Sequence, residues 1–164
     1  MQNEIRQEIR KEIVLKAPLG KVWAAISDAG QFGQWFGVRF DGAFEAGEKL
    51  KGVIVPTTVN DEIAAMQKPY EGTPFEIVVG EITPQTRFSF YWHPYGVEKD
   101  YDYSQEPMTL CTFSLAEVPE GVRLVIAESG FENIPLERRA KAFTANDGGW
   151  AAQTKLIEAY LARD

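Results

Sequence analysis

The amino-terminal segment alternates apolar and charged residues with a period of two. Ile5, Ile9 and Ile13 stand at odd positions with Leu15, and arginine or glutamate fills most of the even positions between them. Side chains point alternately to the two faces of a strand, so this pattern predicts a long, half-buried strand. Pro18 follows at a position that suits the first residue of a helix.

The middle of the chain predicts further short elements, mostly strands. Apolar spacing favours a short helix over residues 22–26 and a second short helix or a turn over residues 32–36. The polar stretch 57–74 is expected to be an irregular and mobile excursion. The other alternating segments predict antiparallel strands, the last four of them paired as two hairpins, at residues 38–41, 50–55, 75–83, 87–93, 109–117 and 122–131.

The carboxyl-terminal part of the chain has helical spacing from Pro135 onward. Its stripe recurs every three or four positions, which predicts one long helix; the stripe consists of Leu136, Ala140, Phe143, Asp147, Trp150, Thr154, Ile157 and Leu161. A carboxylate stands in its middle, followed by Gly148 and Gly149, and each glycine costs about 1 kcal/mol against alanine in a helix interior. Two structures fit this segment: a continuous helix that covers something other than a solid core, or two helices that meet at a break.

Taken in order, the predicted elements are one strand, two short helices, a run of antiparallel strands and one long helix. No internal repeat and no low-complexity tract interrupts them. A curved antiparallel sheet that packs against a terminal helix satisfies this order. The sequence therefore predicts an α+β fold.

Several short motifs follow one another along these elements. They are Trp35-Phe36, the strand that contains Trp92, Thr109-x-Cys111-x-Phe113-x-Leu115, Glu128-Ser129-Gly130-Phe131 and Gly149-Trp150. In this order and spacing the chain resembles the START-like (SRPBCC, helix-grip) superfamily. More narrowly, it is similar to the family related to the C-terminal domain of the Hsp90 ATPase activator. The resemblance spans about Ile9 to Leu161, so residues 1–164 are expected to form a single START-like domain.

The resemblance implies a deep cavity between the sheet and the long helix, and it implies little about function. Many members of the family have no known ligand, and most are not shown to be enzymes. The chaperone-activator branch implies a protein-interaction module as an alternative. A chaperone partner is disfavoured, because the chain is not expected to carry the extra N-terminal domain of such activators.

Composition narrows the classes of partner. The 164 residues carry 17 basic and 24 acidic side chains, a net charge of −7, which disfavours non-specific binding to nucleic acid or anionic membrane. No apolar run approaches the roughly 20 residues that span a bilayer, so no membrane insertion and a cytoplasmic location are expected. The basic residues Arg138, Arg139 and Lys141 are expected to form a solvated helix face beside Glu137.

Few residues suggest a bound cofactor or metal ion. Cys111 is the single cysteine, so an intrachain disulfide and an all-cysteine metal or iron–sulfur site are excluded. Gly42, Gly47 and Gly52 are spaced for turns and not for a dinucleotide fingerprint. We therefore predict no flavin, nicotinamide or iron–sulfur cofactor.

Glu128 is the most informative candidate for a site residue. It follows Val122, Leu124 and Ile126 on one face of a strand, so it ends an inward-facing apolar row. A buried carboxylate needs partners, and glutamine in its place is expected to preserve folding because a buried charge is costly. The alternative is a strand that ends or bulges here and turns Glu128 to water.

Asp147 is the second carboxylate, and its expected place depends on the terminal helix. In a continuous helix it faces the sheet between Phe143 and Trp150. In a broken helix it caps the second half, a position that aspartate favours. The sequence leaves both roles open.

The single histidine and the single cysteine are expected to be structural. Phe88, Phe90 and Trp92 claim the apolar face of their strand, so His93 should point the other way. Cys111 shares a face with other core residues and behaves as a small apolar side chain. Opposite orientations disfavour a catalytic pair between them.

The acidic loop before the sixth strand resembles the start of a calcium loop. The likeness begins at Asp100 and fails at Gln105, where such a loop needs glycine, and at Cys111, where it needs glutamate. A tyrosine-rich lid, carried by Tyr95, Tyr101 and Tyr103, is the preferred interpretation.

These expectations combine into one functional hypothesis, the binding of a small apolar or amphipathic molecule in a cavity. The predicted ligand-binding residues are Trp35, Phe90, Trp92, Tyr95, Tyr103, Glu128, Phe143, Asp147 and Trp150. Two alternatives stay open: a protein-interaction module, and an enzyme that uses a buried carboxylate as its acid–base group. The sequence does not decide whether the protein forms a homodimer.

Overall fold

A seven-stranded antiparallel sheet forms the frame of the protein in the computed structural model, which describes residues 8–97 and 101–163. The strands are β1 (Glu8–Leu15), β2 (Val38–Phe40), β3 (Lys49–Ile54), β4 (Pro74–Thr83), β5 (Arg87–Trp92), β6 (Thr109–Val118) and β7 (Gly121–Ser129). The α-helices are α1 (Leu19–Ser27), α2 (Ala29–Phe36), α3 (Asp61–Gln67) and α4 (Leu136–Ala162). The α+β helix-grip arrangement is confirmed, and short 3-10 turns occupy Lys68–Tyr70, Tyr103–Gln105 and Phe131–Asn133.

The first strand pairs with the last strand, and not with its neighbour in sequence. The order across the sheet is β1-β7-β6-β5-β4-β3-β2, and β1 runs antiparallel to β7 from Glu8↔Ser129 to Leu15↔Val122. Ile5, in the predicted first strand, lies outside the described residues. Helices α1 and α2 therefore carry the chain from one edge of the sheet to the other, where β2 begins.

The two short helices begin and end at residues that suit helix termini. Pro18 is the N-cap of α1 and not its first residue, a shift of one position from the prediction. Asp28 caps α2 by accepting a hydrogen bond from the Gly30 amide, and Gly37 ends it with φ 101°, a left-handed conformation that glycine adopts without strain.

The predicted irregular excursion is wrong, because residues 57–74 contain helix α3. Asn60 accepts from the Ile63 amide and caps the helix, and Asp61 and Glu62 follow in its first turn. At the other end Gln67 accepts from the Thr57 amide at 2.7 Å. The missed signal was the capping residue followed by two acids, which is typical of a helix start.

Helix α4 runs unbroken through Gly148 and Gly149, so the continuous alternative is confirmed. Its predicted inward stripe is wrong in the first half, where Leu136 is 74% exposed and Ala140 is exposed. The buried residues are Arg138, Ala142, Trp150, Leu156, Ile157 and Leu161. The inward face of α4 also includes polar residues that hydrogen-bond to other parts of the fold. A search for apolar spacing does not detect such residues.

The solid part of the core lies at one end of the space between sheet and helix. Phe32 of α2 stands at its centre, with ring centroids 4.8 Å from Phe36 and 5.8 Å from Phe113. Phe88 and Phe90 face it from β5, as the alternation predicted. In the described part of the chain, no helix combines the length and apolar character that a bilayer crossing requires.

Gly148→Ala tests the continuity of α4. The Gly148 backbone is helical, and an added Cβ would meet no heavy atom within 4 Å, so alanine should raise the free energy of unfolding by about 1 kcal/mol. Urea unfolding of the two proteins measures the difference. Destabilisation by alanine would contradict a helix through this position.

Candidate functional site

A cavity of about 640 Å³ opens between the sheet and the middle of α4. Its apolar wall includes Phe36, Ile54, Phe75, Trp92 and Trp150, drawn from α2, three strands and α4. The cavity occupies the end of the domain that the phenylalanine cluster around Phe32 does not fill. A cavity therefore lies where the resemblance implies one, between the sheet and the long helix.

Glu128 lies fully buried behind the cavity wall, held by four neighbouring side chains. Its Oε2 accepts from the Trp92 indole Nε1 at 2.8 Å and from the Thr109 hydroxyl. Its Oε1 accepts from the Trp150 indole Nε1 at 2.8 Å, and the Asn146 amide donates to both oxygens at 2.9 and 3.1 Å. The inward orientation predicted for Glu128 is confirmed.

The donors around Glu128 come from three parts of the fold. Trp92 belongs to β5, Thr109 to β6, and Asn146 and Trp150 to α4, whereas Glu128 itself stands on β7. Each donor is neutral, and the two carboxyl oxygens of Glu128 accept from all four side chains. The cluster fastens the middle of α4 to the sheet.

Cys111 completes the buried environment of Glu128 from the neighbouring strand. The two residues are register partners between β6 and β7, and the thiol is fully buried. Burial raises the pKa of the Cys111 thiol well above its usual range, and the charge of Glu128 and its hydrogen bond to the thiol raise that pKa further. A thiol held in its protonated form is a poor nucleophile, which supports the structural role predicted for Cys111.

A loop between β5 and β6 covers one end of the cavity. Tyr95 and Tyr103 line the cavity, and the Tyr103 hydroxyl donates to the Tyr95 carbonyl at 3.1 Å. These two tyrosines stand at the cavity, and the action of the loop as a lid stays a prediction. Asp100, the start of the supposed calcium loop, lies outside the described residues.

A buried ion pair ties this lid to α4. The Arg138 guanidinium donates from Nε and Nη2 to the two oxygens of Glu106, each at 2.9 Å, and Nη2 also donates to the Pro94 carbonyl at 2.7 Å. The exposed fractions of the Arg138 and Glu106 side chains are 6% and 1%. The Tyr101 hydroxyl donates to Glu106 at 2.8 Å, and the Arg138 Cζ atom lies 4.8 Å from the centroid of the Tyr101 ring.

The solvated basic face predicted for Arg138 is therefore wrong. Arg138 belongs to a mostly basic run of charged residues with Arg139 and Lys141, and such a run gives no apolar signal, so the pattern placed it outside. Its partner Glu106 lies 32 residues away in sequence, and only the folded loop brings the two together. A bidentate pair of this kind fixes both the distance and the orientation of lid and helix.

Four of the predicted ligand-binding residues line the cavity: Trp92, Tyr95, Tyr103 and Trp150. Trp35 and Phe90 belong to the solid core instead, and the Trp35 indole donates to the Ala25 carbonyl at 2.9 Å. Both face inward as expected, but the phenylalanine cluster separates them from the open space.

The other two residues predicted on α4 lie away from the cavity. Phe143 packs against Phe131, with ring centroids 5.0 Å apart. Half of the Asp147 side chain is exposed, and it pairs with Lys11 of the edge strand β1 at 2.9 Å. Each residue of an α-helix turns about 100° from the one before, so the amide of Asn146 occupies the inward place assigned to Asp147.

His93 and Gln153 line the cavity, although neither was predicted to do so. The expected outward orientation of His93 is wrong, because β5 ends at Trp92 and the chain turns into the lid there. His93 Nδ1 and Gln153 Oε1 are buried and have no hydrogen-bond partner among the described residues. Burial lowers the pKa of His93, while the nearby Glu106 charge opposes this.

The described residues provide no arrangement of three or more His, Cys, Asp or Glu side chains that suits a metal ion. The polar groups at the cavity are amides, hydroxyls, one imidazole and the charged side chains of Lys51 and Glu76. Such groups orient an organic ligand by hydrogen bonds.

The sequence profile described as "Activator of Hsp90 ATPase homolog 1-like protein" matches residues 16–162, so the chain belongs to that family. No curated protein matches the chain. Similar solved structures include a protein from Mesorhizobium loti, with 19% identity, a TM-score of 0.68 and coverage of 94% of this chain and 96% of that one. A protein from Chromobacterium violaceum has 20% identity, a TM-score of 0.66 and coverage of 96% and 99%.

A further similar structure is described as the Aha1 dimer from Colwellia psychrerythraea. It has 16% identity, a TM-score of 0.66 and coverage of 94% of this chain and 95% of that one. At these identities the likeness extends to the fold alone. The site is therefore argued from the side chains of this chain.

Glu128→Gln should lower the free energy of unfolding by about 2–4 kcal/mol, because the new NH₂ group would face indole and amide donors. This reverses the expectation from the sequence, in which glutamine preserves folding because a buried charge is costly. The donors around Glu128 stabilise the carboxylate and would not be matched by glutamine. Urea unfolding measures the loss, and near-UV circular dichroism reports the packing of Trp92 and Trp150. The exposed Glu117→Gln is the control and should change stability by less than about 0.5 kcal/mol. Equal stability of the two variants would contradict the donor shell.

Arg138→Met should lower the free energy of unfolding by about 3–5 kcal/mol, since it leaves Glu106 buried without its partner. Hydrogen exchange of the lid amides in residues 101–107 should accelerate as well. The neighbouring Arg139→Met is the control, because among the described residues its side chain donates to the backbone carbonyls of Glu132 and Ile134, just before α4. The double variant Glu106→Gln/Arg138→Met should lose less than the sum of the single losses, and strict additivity would argue against the pair.

Proposed function

We propose that this member of the Activator of Hsp90 ATPase homolog 1-like family binds a small, largely apolar or amphipathic molecule in the cavity between sheet and α4. The observation that carries the proposal is the cavity itself, about 640 Å³ of space inside a domain with a well-packed core elsewhere. Pockets for small ligands usually measure about 300–1,000 Å³ and combine apolar walls with a few polar groups.

The cavity is kept open at its helix wall by a missing side chain. Gly149 lines the cavity, and an added Cβ would meet no heavy atom within 4 Å. Glycine in a helix interior costs about 1 kcal/mol against alanine. A larger side chain at position 149 would take up part of the cavity.

The fold supports the same conclusion in a coarser form. Proteins with this AHSA1/SRPBCC-like fold commonly bind hydrophobic ligands. The aromatic residues Phe36, Trp92 and Trp150 give this chain a wall of that character. Association of two copies stays a proposal, and the dimeric relative from Colwellia psychrerythraea is its support.

The arrangement of Glu128 favours binding over acid–base chemistry. A general acid or base must reach the reacting proton directly or through one water molecule. Both oxygens of Glu128 are already engaged by donors from the surrounding side chains. The carboxylate therefore orients the tryptophan and asparagine side chains that form the cavity wall.

Gly149→Leu tests whether this cavity is a binding site. The added side chain projects into the cavity, so binding of the apolar fluorescent probe N-phenyl-1-naphthylamine should weaken about tenfold or more. Unchanged protein should bind about one probe per chain and show quenched tryptophan emission. Fluorescence titration gives both quantities.

Gly148→Leu is the matched control, because Gly148 is its neighbour on the same helix, has the same open surroundings and does not line the cavity. It gains the same helix propensity and should bind the probe as unchanged protein does. Equal probe affinity in the two leucine variants would overturn the proposal, as would a failure of unchanged protein to bind any probe.

A further inference from the structure

The orientation of the Asn146 amide is forced by its neighbour. Its Nδ2 lies 2.9 and 3.1 Å from the two oxygens of Glu128. A carboxylate only accepts hydrogen bonds, so the amide oxygen cannot take that place. The Oδ1 atom therefore points away from Glu128, and it accepts no hydrogen bond from the described residues. Since Asn146 lines the cavity, this oxygen is an available acceptor there.

The orientation of the Gln153 side-chain amide, two helical turns further along α4, is fixed in the same way. Its Nε2 donates to the carbonyl of Phe36 at 3.0 Å, an atom that also only accepts. Its Oε1 is buried without a donor in the described part of the chain. Most buried polar atoms are paired, and an orphan of this kind calls for a missing partner. That partner must be a hydrogen-bond donor.

The region behind these two oxygens carries negative charge. Glu128 stands beneath the cavity wall, and its donors in the structure are neutral side chains. Two of those donors are the indoles of Trp92 and Trp150, whose ring centroids lie 5.7 Å apart. Donation of the indole N–H to a carboxylate increases the electron density of the ring. Cations bind near such rings.

The other charged groups at the cavity do not cancel the negative charge of Glu128. Lys51 and Glu76 line its mouth and are direct register partners between β3 and β4, so their charges oppose each other. His93 lines the wall near the lid, where Glu106 and Arg138 are its charged neighbours and are paired with each other. The inner wall thus offers acceptors and a negative potential.

We propose that the ligand is an apolar molecule that carries a hydrogen-bond donor of positive charge, an amphipathic amine. The amine nitrogen binds at the α4 wall, donating to Asn146 Oδ1 or Gln153 Oε1 near the two indole rings. Its hydrocarbon part fills the space beside Gly149. This inference rests on the proposed binding function and specifies the chemistry of the ligand.

Three probes with one hydrocarbon chain test the inference: octylamine, octanol and octanoate at neutral pH. Their affinities are measured by displacement of N-phenyl-1-naphthylamine and by calorimetry. Octylamine, which is protonated at this pH, should bind about tenfold tighter than octanoate and also tighter than octanol. Gly149→Leu has the same net charge, so loss of this binding in that variant separates the cavity from general attraction to an acidic protein.

Gln153→Met gives a second measurement, because methionine keeps the length of the side chain and removes the acceptor. The advantage of octylamine over octanol should fall about threefold or more, while octanol affinity stays close to that of unchanged protein. If octylamine keeps the same advantage over octanol in Gln153→Met, then Gln153 does not bind the amine, and its part in the inference is overturned.

The outcomes separate the two proposals. If octanoate or octanol binds as tightly as octylamine, and Gly149→Leu weakens all three, the cavity is a binding site and the amine inference is overturned. If no probe binds to unchanged protein, both proposals are overturned. Only a preference for octylamine that depends on Gly149 supports the inference.

Discussion

The buried carboxylate of Glu128 is the constraint on which the rest of the site depends. Burial of this charge is costly unless its oxygens are satisfied, and the fold satisfies them with donors from β5, β6 and α4. The middle of α4 must therefore stay in contact with the sheet beside the cavity. The polar contact holds the helix in place beside an open space, where apolar packing alone would favour collapse.

The cavity depends on three local features that act together. The Glu128 cluster sets the inner wall, Gly149 leaves the helix side empty, and the Arg138–Glu106 pair fixes the lid. The ion pair is bidentate and nearly fully buried, so its loss would leave an uncompensated charge. The same helix carries all three contacts, which explains why its inward face mixes tryptophan, glycine, asparagine and arginine. The shape of the cavity and the stability of the fold are thus coupled through α4.

Much of the fold followed from the sequence, because strand alternation and turn residues are local signals. The hairpins, the short helices and the inward Glu128 were predicted from spacing alone. The rotation of the first half of α4 was not, since Arg138 and Asn146 face inward through partners distant in sequence. Asp147 was assigned the place that Asn146 holds, and helix α3 was missed although Asn60 and two acids marked its start. The sequence therefore mispredicts the orientation of a site residue when that orientation depends on a polar partner distant in sequence.

The indole protons of the protein test the central claim most directly. The chain has 4 tryptophans, and the account predicts that the Nε1 protons of Trp92 and Trp150 give NMR signals shifted downfield and protected from solvent exchange by Glu128. Both signals should move together in Glu128→Gln, while the signal of Trp35, which is bonded to a backbone carbonyl, should stay in place. Rapid exchange of the Trp92 and Trp150 protons, or signals unaffected by that substitution, would contradict a carboxylate that joins sheet and helix.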